Sequence, residues 1–506
     1  MLRTIRAFWH DQRGIALILV SVTLPAIIGF SLLAIDMSRV NNLHNDLQKG
    51  ADALALAAAA ELDGQSDSIT RGDHALATLV ANKYTFSTSG PPQTLAAAGV
   101  TRRYLRSIPA TLNPGKSSEV AGDARPITDV ITDEVTDAKA ARFVEVKVTP
   151  VGFSAIFPAS FLTGNAANNS FDVGASAVAG FSTSVCDYTP VFICNPYEKT
   201  EAAGGLTLEQ AASSRAQRRR QLILRGDKFY GPGNFSFLES PAGNGAPALK
   251  DSLAKIKPVS CYSQNGVNTK PGQNKGPVEN GLNARFGLTS TYVTSDPPAQ
   301  NVRMGVKNVT CNTDKTVKSV TYNTAAQGTT GLPRDGCYPN NCTPLDPAHP
   351  ADAGMLGDGN WNPSGYWTAN HLVPGSTTTS RPFPTDGGFT ATGTEAATRY
   401  DIYKYEVDHG MIGDKSTSGD TGLPLCNQTP IAIPDRRILY GAILDCSKLA
   451  LNGNVDNVPV RAFGSFFITE PIKDGKEIYV ELVDITGKGG RGTLDNFLRD
   501  EAQVYR

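Results

Sequence analysis

Residues 14–35 read GIALILVSVTLPAIIGFSLLAI, a run with no charged side chain. Its polar side chains are Ser21, Thr23 and Ser31, whose hydroxyls can bond back to the helix that carries them. At about 1.5 Å per residue such a helix spans roughly 30 Å, the thickness of a bilayer core. A helix satisfies every backbone group in lipid, so the stretch predicts a single transmembrane helix. Pro25 frees one carbonyl in mid-span, and a kink is expected there. Arg3, Arg6 and Arg13 precede the run and Asp36 follows it. That asymmetry predicts a cytoplasmic N-terminus with the remainder outside. The run is longer than a signal-peptide core and no A-x-A site follows directly, so a retained anchor is expected rather than a cleaved leader.

The helical pattern continues past the apolar run. Leu43, Leu47, Ala51, Leu54, Ala58 and Leu62 recur at three and four residues and share one face. Ala51 to Ala60 is rich in strong helix formers, and Gly64 is a stop signal. A membrane helix running on into an Ala-rich amphipathic helix is a pilin-like layout. Its face, Leu47, Ala51, Leu54, Ala55, Ala58 and Leu62, is expected to pack against other helices, since small residues permit close approach. The alternative is a helix that covers its own domain.

Residues 13–62 resemble the N-terminal segment of the TadE/TadG-like proteins of Flp (Tad) pilus assembly. The resemblance rests on Arg13-Gly14, on Pro25 and Gly29 within the apolar run, and on Ala34-Ile35-Asp36. It continues through Leu47-Gln48 to Ala51-Asp52-Ala53-Leu54-Ala55. The stretch from Asp435 to Arg506 is similar to longer TadG-like proteins. The resemblance implies a bacterial inner-membrane protein with a periplasmic body that serves a pilus machine. Two departures bear on that. Prepilins of this system are cut after a Gly with an acidic residue five places on, whereas the fifth residue after Gly14 is Leu19, so no processing is expected there. Some TadG proteins carry a von Willebrand A domain with an Asp-x-Ser-x-Ser metal site. Asp36-Met37-Ser38 begins such a string and Val40 ends it, so no metal site of that kind is expected at Asp36.

With 506 residues the chain is long enough for two or three domains. A net charge of −1 argues against a nucleic-acid binder, and 49 Gly with 32 Pro predict many turns. All eight cysteines lie beyond the anchor: Cys186, Cys194, Cys261, Cys311, Cys337, Cys342, Cys426 and Cys446. An even count on the oxidising side reads as disulfides. Loop closure favours the near pairs Cys186–Cys194, Cys337–Cys342 and Cys426–Cys446, which leaves Cys261 for Cys311. Zinc is disfavoured, because no Cys-x-x-Cys pair or Cys/His cluster has ligand spacing.

Residues 65–85 predict a second short helix, with Ile69, Leu76, Leu79 and Val80 on one face. Phe143 to Val151 and Phe171 to Phe181 alternate as strands, with the apolar stretch Phe153 to Leu162 between them as a short covering helix. Leu206 to Leu224 reads as a helix, and its cluster Arg215, Arg218, Arg219 and Arg220 as a solvated face. From residue 226 to 424 turn residues dominate, with short strands expected at Val302–Val309, Val317–Tyr322 and Tyr400–Tyr405. This insertion is either braced by disulfides or a surface for contact. Arg436–Cys446, Val460–Thr469 and Glu477–Ile485 are nearly continuous apolar runs, as in central strands. Thr493–Val504 is expected to close the chain as a helix.

Motifs for chemistry are sparse. None of the histidines forms His-Glu-x-x-His, and there is no Gly-x-Ser-x-Gly, no Walker A string and no Gly-x-Gly-x-x-Gly that opens a helix after a strand. Ser252-Leu253-Ala254-Lys255 fits Ser-x-x-Lys without its companion motifs, and GDGNWN at 357–362 lacks the acid spacing of a calcium loop. No catalytic, cofactor or metal residues are assigned, no small-molecule substrate is evident, and a non-enzyme is expected. The sequence thus predicts an α+β chain: a cytoplasmic N-terminus (1–13), a transmembrane helix (14–35), an Ala-rich stalk (36–85) and a small β-rich module (86–185). A cysteine-containing, loop-rich periplasmic domain (186–506) with an insertion at 226–424 completes it. The expected role is a membrane-anchored structural or accessory component of Tad/Flp pilus assembly, with other pilus-assembly or pilin-like proteins as partners. The alternatives are an adhesin or minor pilin in the fibre and, third, an anchored periplasmic enzyme.

Overall fold

The computed structural model describes residues 13–505 apart from 63–65, 107, 109–133, 139–140, 158–159, 161–163, 166–168, 226–233, 241–242, 244, 257, 259–260, 264–265, 273, 289–295, 323–329, 339–341, 345–354, 427–433, 447–448, 450, 452, 457, 474–476 and 488. The chain divides into two units, Met1–Ser182 with Asp500–Arg506, and Thr183–Arg499.

The first unit is built on one long helix, α1 (Arg13–Ala59), which continues without a break through Pro25. Helix α2 (Ser68–Leu79) follows, then strands β1 (Val100–Leu105), β2 (Phe143–Ser154) and β3 (Ser170–Cys186). The C-terminal strand, Leu498–Val504, returns to complete a sheet in the order C-terminal strand, β3, β2, β1. Pairing of β1 with β2 and of β2 with β3 is antiparallel, with Val144 opposite both Tyr104 and Ala179.

The second half of α1 lies on this sheet. Leu43, Leu47, Ala51, Leu54, Ala55, Ala58 and Leu62 are buried together with Val144, Val146, Val148, Phe153, Val173, Ala177 and Ala179. Burying each leucine contributes about 1.5–3 kcal/mol, and this packing, more than Ala propensity, holds so long a helix outside lipid. The stalk and the β module expected as separate segments therefore share one core. The expected stop at Gly64 lies outside the described residues; of the covering helix expected at Phe153–Leu162, Phe153 and Ser154 instead end β2, 155–157 are not helical, and 158–159 and 161–162 lie outside the described residues.

The second unit carries a seven-stranded sheet. Its elements include β4 (Phe192–Cys194), α3 (Leu208–Ser213), α4 (Arg215–Arg218), β5 (Gln221–Arg225), α5 (Ala246–Ala254), β6 (Cys261–Ser263) and α6 (Lys275–Asn283). There follow β7 (Val306–Cys311), β8 (Val317–Tyr322), β9 (Thr343–Pro344), β10 (Met355–Leu356), α7 (Pro363–Asn370), α8 (Arg399–Asp408), β11 (Ile438–Leu444), β12 (Ala462–Ile468) and β13 (Ile478–Ile485). The sheet order is β9-β10-β5-β13-β12-β11-β4, with β4 parallel to β11 and its other pairs antiparallel. Every residue of β12 and β13 is buried, as their continuous apolar runs predict for central strands.

Three expectations about local structure are corrected. Leu206–Leu224 is two short helices and then strand β5, because Leu222 and Leu224 are needed in the sheet core. Tyr400–Tyr405 lies in α8, started by a capping box in which Thr398 and Asp401 bond each other's backbone N–H. Thr493–Val504 ends as a strand rather than a helix, since sheet pairing overrides weak local preference. The insertion expected to be loop-rich also contributes α5 to α8, and its aromatics Tyr366, Trp367, Tyr403 and Tyr405 form a core with Phe467.

Candidate functional site

The first half of α1 and its junction with the sheet are the most distinctive surface of the first unit. Leu19, Val20, Val22, Leu24, Ile27, Ile28, Phe30, Leu33 and Ile35 are all exposed, and the helix is long and apolar enough to cross a membrane. Thr23 and Ser31 donate their hydroxyls to Leu19 O and Ile27 O, each at 2.8 Å, so neither presents an unpaired polar group to an apolar surrounding. The bare segment ends at Asp36, which is 5 % exposed. Ile156 N and Phe157 N donate to its two carboxylate oxygens at 3.0 and 2.6 Å, and Arg39 Nη1 donates at 3.0 Å. Burial works against this charge, yet the two backbone donors and Arg39 together hold the carboxyl below its ordinary pKa. The Arg39 guanidinium also lies 4.9 Å from the Phe153 ring centroid. Asp36 thus clamps the helix, where its apolar run ends, to the loop that follows β2. The sequence marks Asp36 as the charge that ends the apolar run and as part of the family resemblance, but nothing local shows that it accepts from N–H groups over a hundred residues away.

The face expected to receive other helices is not free. Leu47, Ala51, Leu54, Ala55, Ala58 and Leu62 are at most 2 % exposed and covered by this chain's own sheet. The small residues do permit close approach, but of the sheet. The half of α1 left for another partner is the bare segment before Asp36.

In the second unit all eight cysteines pair, and no free cysteine remains among the described residues. Cys337 pairs with Cys342, the near pair that loop closure favours. The other three expected pairs are corrected to Cys186–Cys261, Cys194–Cys446 and Cys311–Cys426. Strand register explains two of them. Cys186 stands directly opposite Cys261, and Cys194 stands opposite Leu444, two residues before Cys446. Chain entropy ranks loops in the unfolded state; folded geometry decides which sulfurs meet.

The Arg215–Arg220 cluster is not a solvated face. Arg215 Nη1 donates to Gly388 O at 2.7 Å, Arg218 to Ala212 O at 2.7 Å, Arg219 Nε to Gly359 O at 2.8 Å and Arg220 Nε to Gly357 O at 2.6 Å. Arg215, Arg219 and Arg220 thus tie the insertion to the segment before β5, while Arg218 closes a local bond back to α3. GDGNWN forms part of this tie: Asp335 accepts from Gly359 N at 2.9 Å, and Asp358 from Asn360 N at 2.9 Å.

Two buried charge networks lie among these elements. In the first, Arg399 bridges Asp335 at 2.8 Å and Glu481 at 2.6 Å, with all three side chains fully buried. Burial, with Asp335 nearby, pushes the Glu481 carboxyl up to about 7 against the pull of Arg399. In the second, His371 sits between Glu406 (2.9 Å) and Asp414 (3.0 Å), its ring centroid 3.9 Å from that of Trp367. Tyr366 and Asn301 also donate to Glu406, and Arg381 to Asp414. Burial opposes the Glu406 charge, but His371, Arg303 and Tyr366 hold its pKa below the usual value. A His–carboxylate pair is one element of nucleophilic catalysis. Here both ring nitrogens are engaged and the ring is fully buried. Its geometry is that of a strut between the segments carrying α7, α8 and Asp414. Among the described residues no group of three or more His, Cys, Asp or Glu is placed to hold a metal ion.

Residues 14–61, all but the last two within α1, match the family model of the TadE/G-like Flp pilus-assembly proteins (Tad). No curated protein and no solved structure matches the chain.

Proposed function

We propose that this protein is a membrane-anchored structural or accessory component of a Tad/Flp pilus apparatus. The bare half of α1 spans the inner membrane with its N-terminus in the cytoplasm, and the rest of the first unit lies with the second unit in the periplasm. The observation that carries this reading is the change of character at Asp36: apolar and exposed before it, amphipathic and sheet-covered after it, within a segment that matches the Tad family. Four cysteine pairs in the second unit support an oxidising compartment. The arginines and acids that would draw attention as a catalytic centre are spent on internal ties, which favours action by contact over catalysis.

A minor pilin or adhesin is the second reading, favoured by the same bare segment, which would bundle with other apolar helices in a fibre as readily as it would sit in lipid. Shearing the surface fibres from the native host separates the two. Intact chain confined to the inner-membrane fraction, with its N-terminus ahead of Gly14, is the expected result. Chain in the sheared fibres beginning at Ile15 would replace the accessory role with that of a processed fibre subunit.

A further inference from the structure

We infer that Ile156, Phe157 and Phe171, beside the paired ends of β2 and β3, form a second membrane contact, which seats in the outer interface of the bilayer beside α1. The inference rests on the reading of α1 as a membrane span. Outside α1, the described residues of the first unit expose three large apolar side chains, Leu79, Ile156 and Phe171. Two of the three stand at this one end of the β2–β3 hairpin. Ile156 is 51 % and Phe171 46 % exposed. Their neighbours are tied in place: Phe153 is buried with its ring centroid 5.0 Å from that of Phe171, and Ala155 N donates to Asn169 O at 2.8 Å.

Depth follows from the helix. Asp36 holds Ile156 N and Phe157 N, and the Phe157 ring lies over Gly29, where a Cβ would stand 3.6 Å from Cε2. Gly29 is seven residues before Asp36, so Phe157 reaches roughly 10 Å back along the apolar run. At that level α1 exposes Ile27, Ile28 and Phe30, and the hairpin end adds its own apolar side chains to the same band. Further along α1 the apolar contacts with the sheet are buried, and polar bonds accompany them: His44 meets Gly174 O at 3.2 Å, and Gln48 donates to Ser176 O at 3.0 Å. The apolar surface is therefore confined to the end nearest the span and is continuous with it. Aromatic and aliphatic side chains placed so favour the headgroup–acyl boundary, and two contacts fix the tilt of a span better than one. The occupant is lipid.

The test uses the full chain with its disulfides oxidised. A nitroxide is placed by I156C or F171C, with V22C as a reference inside the span and K147C as a reference on the exposed sheet. Each protein is reconstituted in vesicles of phosphatidylethanolamine and phosphatidylglycerol, and collision with oxygen is compared with collision with a water-soluble nickel chelate. The oxygen-to-nickel ratio at 156 and 171 is expected to exceed that at 147 severalfold and to approach that at 22. If 22 is lipid-exposed while 156 and 171 behave like 147, the hairpin contact is wrong and the span stands. If 22 is itself open to nickel, the span and the contact that depends on it both fall.

Discussion

The two units solve the problem of stability in opposite ways. The first buries a face of leucine and alanine from one helix against valines of a sheet, and its two buried charges among the described residues are Asp36 at the helix junction and Glu145 in β2, paired with Arg103. The second keeps Arg285, Arg303, Arg399, Arg436 and Arg437 almost wholly inside and closes the chain with four cysteine pairs. A buried guanidinium is tolerable only when its donors are used. Arg437 shows this, donating to Ile468 O and Thr469 O at 2.9 Å while burial pushes its pKa down to about 10. An apolar seam is set by periodicity within one element. A buried arginine depends on carbonyls and carboxylates from several distant segments.

The contrast can be broken at its strongest point first. Replacing Arg399 by Ala leaves Asp335 and Glu481 buried without their cation and is expected to cost about 3–5 kcal/mol. In a Trp9→Phe background the remaining tryptophans, Trp361 and Trp367, both lie in the second unit, so the midpoint of their fluorescence change in denaturant reads this loss. Unchanged stability would mean that the triad is not a support. In the first unit Leu54→Ala, at a fully buried position, is expected to cost about 2–5 kcal/mol, read by far-UV circular dichroism. If it moves the tryptophan midpoint equally, the two units unfold as one and the comparison fails.

The cysteine pairs rank by span. In the chain-entropy picture, removing Cys194–Cys446, with a sequence separation of 252, costs about 3 kcal/mol more than removing Cys337–Cys342, with a separation of 5. Serine double variants compared in denaturant test the ranking, and equal losses would show that native geometry rather than loop length sets the effect. The smallest effects come from pH, and their signs differ between units. Asp36 has a lowered pKa, so its contribution is present above the unfolded carboxyl value near about 4 and is lost as pH falls through the folded value. Glu481 has a raised pKa, so its contribution is present below about 4 and is lost as pH rises toward about 7. Asp36→Asn should flatten the acid limb of the first unit, and Glu481→Gln the slope between these values in the second; the same slope in both variants would contradict the assignment.

What could be read from sequence divides along the same line. The α1 face, the alternation of β2 and β3, and the runs of β11 to β13 carry their burial in local periodicity. Helix α8 also left a trace, the Thr398-x-x-Asp401 capping box, beneath aromatics that suggested a strand. The C-terminal strand left none, because Glu501, Ala502 and Gln503 favour a helix until a sheet edge is offered. Cys194 could not announce Cys446, nor Arg399 its acids, because those partners meet only through sheet register and the insertion. Arg215, Arg219 and Arg220 look like a solvated cluster for the same reason: their carbonyl partners lie between residues 357 and 396.

On the proposed reading α1 changes solvent at Asp36, with the residues after it, and so all eight cysteines, on the oxidising side of the membrane. Whole cells of the native host are lysed in the presence of a thiol-reactive polymer, with and without prior reduction, and the chain is followed by mobility. No added mass without reduction, and eight additions after it, is the result the account predicts. Full labelling without reduction would place the cysteines in a reducing compartment and contradict it.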